Sequence, residues 1–405
     1  MKLKTIREAN LSGRRVLTRV DFNVPLKDGH VADDTRIKAT IPTIAYMLEQ
    51  GAHVVLCSHL GRPKKQVVDE LRLTPVAMVL ERLLRSEMEN QGLGPVQVVK
   101  LGDCIGREVE SVVEGQKAGE VILLENLRFH AGEEANDPQF AEALARLADI
   151  YVSDAFGTVH RAHASTEGMA HLLPAYAGFL VEQEVAALTK VVEHPERPLT
   201  IIMGGAKISD KIEVLENLIP KAQNVLIGGA MANTFLKAQG FHTGRSLVEE
   251  EQVATAGRLL RLADSKGTML LLPTDYVVTD SLDEPRRVAT VMAHAIGEGD
   301  IAADIGAQTA DSYREVIADA RTAFWNGPMG VFEQEQFAAG TVAVAQALAS
   351  VYESAYTVVG GGESVSAVHH AGVEHRIHHV STGGGASLEF VAGYELPGLK
   401  VLEKA

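Results

Sequence analysis

Short apolar runs rich in β-branched residues recur along the chain and alternate with longer segments whose apolar positions return every three or four residues. The runs predict strands at Val16–Val20, His53–Ser58, Val96–Val99, Val121–Leu124 and Ile150–Val152. Further on they predict Leu199–Met203, Asn224–Ile227, Thr268–Leu272, Thr322–Trp325, Tyr356–Val359 and His378–Val380. Helical spacing predicts helices over Ile37–Gln50, Pro75–Arg85, Pro138–Ala148, Ile208–Leu218, Gln252–Ala263 and Phe337–Val351. Strand–helix alternation of this kind predicts parallel sheets covered by helices on both faces. So many strands overfill one doubly wound sheet, so the expectation is an α/β protein with two such domains. The boundary falls near the middle, where an amphipathic helix over Val181–Val192 meets HPERP (His194–Pro198), whose prolines forbid its continuation.

Composition narrows the class. The 405 residues are 46 % hydrophobic and 22 % charged, enough apolar surface for two self-sufficient cores. Lys and Arg total 38 against 53 Asp and Glu, a net of −15, which excludes a broad surface for nucleic acid or anionic membrane. A local basic pocket for a small anion is compatible with that balance. The two cysteines, Cys57 and Cys104, fit inert thiols in a reducing compartment. The N-terminus lacks the apolar core of a secretory signal and no apolar run reaches membrane-spanning length, so the expected location is the cytoplasm.

The candidate chemistry is distributed unevenly. Every Gly-Gly pair follows residue 200: MGGAK (Met203–Lys207), IGGAM (Ile227–Met231), VGGGES (Val359–Ser364) and TGGGAS (Thr382–Ser387). Each lies between a predicted strand and a predicted helix, where exposed amides and the helix dipole favour phosphate. Lys207 and Lys211, four apart on the predicted helix after the first pair, need an anion between them to offset the macrodipole. In the first half the corresponding strand ends carry side-chain cations instead: TRVDFN (Thr18–Asn23), CSHLGR (Cys57–Arg62), LENLRF (Leu124–Phe129) and VSDAFGTVHRAH (Val152–His163). Both sets fall at carboxyl ends of strands, where open α/β sheets bind ligands. The second half reads as a polyphosphate site, the first as a site for a small, multiply charged anion. No Walker loop, zinc helix or protein-kinase signature is present, and the His-His pairs lack a metal-ligating framework.

Eight stretches then carry a resemblance over essentially the whole chain: RVDFNVP (Arg19–Pro25), DDTRI (Asp33–Ile37), SHLGRP (Ser58–Pro63), LLENLRF (Leu123–Phe129), SDAFGTVHRAHAS (Ser153–Ser165), GGAKISDKI (Gly204–Ile212), FWNGPMGVFE (Phe324–Glu333) and STGGGAS (Ser381–Ser387). In this order they closely resemble the phosphoglycerate kinase family. The resemblance implies two Rossmann-like domains flanking a cleft: residues 1–180 plus 393–405, a connecting helix and hinge over 181–198, and residues 199–392. It implies in-line phosphoryl transfer between ATP and 3-phosphoglycerate, giving ADP and 1,3-bisphosphoglycerate, with domain closure. The phosphoglycerate site would comprise Asp21, Phe22, Asn23, Arg36, His59, Leu60, Gly61, Arg62, Arg128 and Arg161, with Arg19, His160 and His163 adding positive character. Arginine suits that role because its planar fork grips phosphate and carboxylate bidentately.

The nucleotide site would comprise Lys207, Lys211, Glu333, Gly361, Gly362, Glu363 and Ser364, with Gly228, Gly229 and apolar residues near Leu272 walling the base. Glu363 stands where the family usually has an Asp toward Mg²⁺, and its contact with that ion is either direct or through water. Arg36, Lys211, Gly383 and Gly384 are the expected catalytic groups. A monomer is expected. A non-catalytic sensor on the same scaffold and a nicotinamide-dependent dehydrogenase are the alternatives; the first βα unit has no dinucleotide fingerprint for the latter.

Overall fold

The computed structural model describes residues 1–404. The first half contains β1 (Arg15–Val20), a hairpin of β2 (Leu26–Lys27) and β3 (His30–Val31), and then β4 (His53–Cys57), β5 (Gln97–Lys100), β6 (Glu120–Leu123), β7 (Ile150–Asp154) and β8 (Ala175–Ala177). Apart from the hairpin these form one parallel sheet in the order β5-β6-β4-β1-β7-β8. Asp28 and Gly29, both at positive φ, make the two-residue hairpin turn. The central strands β1 and β7 are buried almost end to end, which is why they read as unbroken apolar runs. On one face Val16, Val20, Val54, Leu56 and Val152 pack against Ile37, Ile41 and Ile44 of the helix Thr35–Glu49 and Leu80 and Leu84 of the helix Thr74–Asn90.

The second half repeats the plan with β9 (Leu199–Met203), β10 (Asn224–Ile227) and β11 (Met269–Leu271), followed by an insertion of β12 (Asp275–Thr279), β13 (Val288–Met292) and β14 (Ile301–Ile305). It ends with β15 (Thr322–Asn326), β16 (Tyr356–Gly360) and β17 (His379–Val380). The parallel sheet runs β11-β10-β9-β15-β16-β17, and the insertion is a separate antiparallel sheet ordered β13-β12-β14. Strand order reverses at β1 in the first sheet and between β9 and β15 in the second, the places where a ligand crevice belongs.

The chain divides into two compact units, Met1–Val185 with the segment from Glu395 onward, and Ala186–Tyr394. The C-terminal segment packs into the first unit: Lys4 N donates to Leu402 O at 2.9 Å, Gly398 N to Val159 O at 2.8 Å, and Leu396, Leu399 and Leu402 are buried. No helix among the described residues is long and apolar enough to cross a membrane.

All eleven predicted strands coincide with observed ones. The pattern did not predict β8, whose three residues are Ala-Tyr-Ala, nor the antiparallel insertion. Pro273 separates β11 from β12 by only three residues, and the exposed-and-intermediate alternation of β13 offers no apolar run to read. The predicted helix Ile208–Leu218 is also corrected. Ser209–Lys211 is a 3₁₀ turn and the α-helix starts at Ile212, so Lys207 and Lys211 do not share a helical face.

Asp154, buried at the end of β7, accepts hydrogen bonds from Leu180 N at 2.9 Å and Val181 N at 3.4 Å, first-turn amides of the helix Phe179–Val192. Gly178 leads into this helix, where a Cβ would lie 2.2 Å from Asp154 Oδ1. Burial pushes the Asp154 carboxyl up to about 7. The native state therefore binds this proton more tightly than the unfolded chain, and the group's contribution to stability falls as pH rises from about 4 to about 7. Asp154→Asn keeps the amide acceptor and removes the titration. Its urea midpoint is expected to exceed that of the wild type at pH 8 and to lose this part of the pH slope; an unchanged slope refutes the assignment.

Candidate functional site

In the first unit the loops after β1, β4, β6 and β7 bring the predicted cationic residues together. His59 is buried, its Nδ1 lies 4.0 Å from Asp21 Oδ1, and the charges of Arg19, Arg128, Arg36 and Arg161 act on it. Burial first, and then those guanidinium groups, push its imidazole well below the usual histidine range, so it is neutral. Arg19 Nη2 donates to His59 Nδ1 at 3.0 Å, which leaves the ring proton on Nε2. Arg19 itself is buried, with Nε on Ser165 Oγ at 2.9 Å and Nη1 on Val20 O. It orients His59 rather than reaching outward.

Carboxylates hold the array. Arg36 Nη1 lies 2.5 Å from Asp21 Oδ2, while Asp21 Oδ1 accepts from Asn23 N at 3.2 Å. Arg128 pairs with Glu134 at 3.3 Å and donates to Gly61 O at 2.9 Å. Asn23 Oδ1 accepts from Gly61 N at 2.8 Å, tying the β1 and β4 loops together. Buried Glu133 accepts from Ser165 Oγ at 2.6 Å and Ser165 N at 3.1 Å, anchoring the HRAH segment. Arg161 Nε donates to His160 Nε2 at 3.1 Å, and the buried His160 Nδ1 has no partner among the described residues. Neutral histidines, an unpaired ring nitrogen and clustered guanidinium groups are chemistry suited to an anion.

Not every expected residue offers its side chain. Phe22 and Leu60 lie in the hydrophobic core, Phe22 with its backbone N on Ser58 Oγ at 2.9 Å and Leu60 with its N on Asn126 Oδ1 at 3.2 Å. Arg62 is exposed on the loop after Gly61. Glu133 and Ser165 went unassigned in the sequence because a buried carboxylate that organises arginines has no spacing signature.

The second unit holds a cavity of about 150 Å³ at the reversal between β9 and β15. Gly205, Ala206, Gly229, Ala230, Glu333 and Glu363 line it, with Tyr276, Ala302, Ala303 and Asp304 from the antiparallel insertion. The glycines are required by close backbone crossing: a Cβ on Gly204 would lie 2.1 Å from Pro328 O, and one on Gly229 2.5 Å from Gly205 N. Leu272 itself does not line the cavity, and the insertion that follows it supplies Tyr276, Ala302 and Ala303 to that wall. Gly228 packs beneath Met329, with a Cβ position 2.4 Å from its sulfur.

Lys211 Nζ bonds Asn326 Oδ1, and Asn326 Nδ2 donates to Gly360 O at 2.7 Å. Burial pulls the Lys211 ammonium down to about 8, against the opposing pull of Asp210 and Glu363. Lys207 is exposed. Glu363, in the first turn of the helix Gly362–His370, is exposed at the cavity wall, as is Glu333. Gly361 has φ 89°, and a Cβ there would press on Asn326 Nδ2 at 2.7 Å. Ser364 is buried and accepts from Gly327 N at 2.5 Å, so it holds the neighbouring loop. Gly383 N donates to Ser381 Oγ at 3.1 Å, whereas Gly384 and Gly385 open the helix Gly385–Ala392 with clear space around them.

Burial, and then Arg128, Arg19 and Arg161, lower the His163 imidazole to about 4. An anion bound by those arginines offsets their field. Inorganic phosphate is therefore expected to raise the His163 pKa in an NMR titration, and a pKa indifferent to saturating phosphate would show that the cluster is not an anion receptor.

A family-wide sequence profile described as phosphoglycerate kinase matches residues 6–394. A phosphoglycerate kinase of Moorella thermoacetica is 56 % identical over 98 % of both chains, and one of Herpetosiphon aurantiacus is 53 % identical over 99 % of both. Among solved structures, that of phosphoglycerate kinase from Coxiella burnetii superposes with a TM-score of 0.87 at 39 % identity, covering 99 % of this chain and 98 % of its own. On its glycine-loop cavity, its arginine cluster and these likenesses, the chain belongs to the phosphoglycerate kinase family.

Proposed function

We propose that the two sites serve the two substrates of one reaction, with 3-phosphoglycerate on the first unit and ATP on the second, each unit corresponding to its expected domain (residues 1–180 plus 393–405, and 199–392). Membership of the family makes the chain a phosphotransferase between ATP and the 3-phosphoglycerate carboxylate, a step of glycolysis. The observation that supports the assignment of sites is the arginine cluster whose charges act on neutral His59, with Arg19 on its Nδ1 at 3.0 Å, suited to a ligand with both a phosphate and a carboxylate. The glycine-lined cavity with Lys211 near its wall suits a polyphosphate.

The acceptor carboxylate is ionised at neutral pH, so no general base is needed. What remains is positioning and charge neutralisation on the transferring group. Arg36, Lys211 and the amides of Gly383 and Gly384 are assigned that work, and transfer requires the two units to close on their ligands. Magnesium fits one wall: Glu363 offers a single exposed carboxylate, and Mg²⁺ takes one or two carboxylates while keeping water and phosphate oxygens. When bound, the ion supplies charge neutralisation at the phosphates. Asp304, also on the cavity wall, holds Gly340 N at 2.7 Å and Ile305 N at 2.9 Å with its two oxygens. The buried, free Cys57 and Cys104 support a reducing compartment, and the reading places the enzyme in the cytoplasm as a monomer.

Arg36→Ala is expected to lower kcat by about two orders of magnitude while nucleotide KM changes about twofold, in a coupled assay of 1,3-bisphosphoglycerate formation. A kcat near that of the wild type would remove Arg36 from the transfer step. Phosphate binding favours the charged form of Lys211, so affinity for Mg²⁺-ADP should weaken by up to about tenfold per pH unit above pH ~8, and Lys211→Arg should flatten that dependence. Calorimetry at pH 7 and 9 checks the pair.

A further inference from the structure

The first unit brings together a carboxylate, a thiol and an imidazole that phosphoryl transfer does not use. Asp103 and Cys104 lie in the turn between β5 and the helix Arg107–Glu114, and His130 immediately precedes the short helix Ala131–Glu134. One donor atom from each of the three lies within 4.8 Å of the other two, the one such group of metal-ligating types among the described residues. His130 Nε2 donates to Asp103 Oδ1 at 2.6 Å, and Cys104 N donates to the same oxygen at 2.7 Å. The carboxylate–imidazole bond alone would be a common surface pair. A thiol within reach of both turns the pair into a ligand set.

The geometry suits a tetrahedral ion. Zinc takes sulfur at about 2.3 Å and nitrogen or oxygen at about 2.0–2.2 Å, which places neighbouring donors about 3.3–3.6 Å apart. Shifts of about 1 Å bring the observed donors to that spacing. Entry is from solvent, because the side chains of Asp103 and His130 are 54 % and 31 % exposed, while Cys104 is buried. An ion seated where carboxylate and imidazole meet takes the sulfur as its inner ligand, so Cys104 needs no open surface of its own. His130 also lines a hollow of about 420 Å³ with Ile105, Gly132, Asp137 and Phe140, which leaves room for a water in the fourth position. The donors select the metal as well: thiolate with imidazole favours zinc over magnesium, which prefers oxygen.

We propose that Asp103, Cys104 and His130 bind one Zn²⁺ outside both substrate sites, with water as the fourth ligand. On binding, the thiol proton passes to solvent and the imidazole ligates through Nε2 with its own proton on Nδ1. Occupancy pins the loop after β5 to the start of the helix that carries Glu133 and Glu134, whose carboxylates face Arg19 and Arg128.

Cobalt reports the thiolate directly. Untagged, reduced, nucleotide-free protein is expected to take up one equivalent of Co²⁺ with a thiolate-to-cobalt charge-transfer band in the near ultraviolet, which one equivalent of Zn²⁺ bleaches. Cys104→Ser should abolish the band, whereas Cys57→Ser, which alters the other cysteine, should keep it. His130→Ala and Asp103→Asn should each weaken Zn²⁺ binding at least about tenfold in competition with a chelating dye. Circular dichroism checks the fold of each variant, and these two, at partly exposed positions, keep the test decisive if Cys104→Ser fails to fold. No band in the wild type, a band that survives Cys104→Ser, or unchanged Zn²⁺ affinity in His130→Ala would each overturn the site.

Discussion

Like charges brought close together repel, and the first unit is organised around that constraint. Arg19, Arg36, Arg128 and Arg161 all bear electrostatically on one imidazole, and Arg19 and Arg128 are themselves buried. Two devices make the cluster tolerable. Asp21, Glu134 and Glu133 supply counter-charge from defined directions, and the histidines give up their protons so that no further positive charge is added. The charge left over is what an anionic ligand neutralises. On the proposed reading, the cluster is held in a state that an anion would relieve, which is a form of preorganisation.

The second unit answers a different problem with backbone. Polyphosphate is long, and a pocket built from side chains alone would stand off from it. Crossing the loops after β9 and β15 at glycine distances places Gly204 and Gly229 where any Cβ would collide with a carbonyl or an amide. The same crossing brings Asn326 up to Lys211 and seats Gly327 on Ser364. A charged ammonium is therefore held in a largely buried place against the neutral Asn326 amide, and burial lowers its proton affinity despite Asp210 and Glu363.

Much of this was legible in the chain. Central strands buried on both faces announce themselves as β-branched runs, and the sites follow because strand ends in parallel sheets are where loops carry chemistry. The arginines stood out as charges in motifs otherwise apolar. What escaped the sequence depends on contacts between distant segments. Ser364 sits in a phosphate-like glycine turn, but its hydroxyl is spent on Gly327, and nothing local distinguishes the two uses. Phe22 and Arg62 belong to the right motifs, yet one turns into the core and the other out to solvent. Tyr276 is hidden because its strand belongs to an insertion with half-exposed neighbours, where periodicity is weak.

The C-terminal segment imposes an order on biosynthesis. Leu396, Leu399 and Leu402 fill the unit that the first half of the chain begins, and Lys4 pairs with a backbone carbonyl nearly four hundred residues later. The amino-terminal unit, first to leave the ribosome, is therefore the last whose native packing is complete. The carboxy-terminal unit, contiguous from Ala186 to Tyr394, has all of its own residues earlier. Synthesis from the amino terminus would here finish the second module before the first.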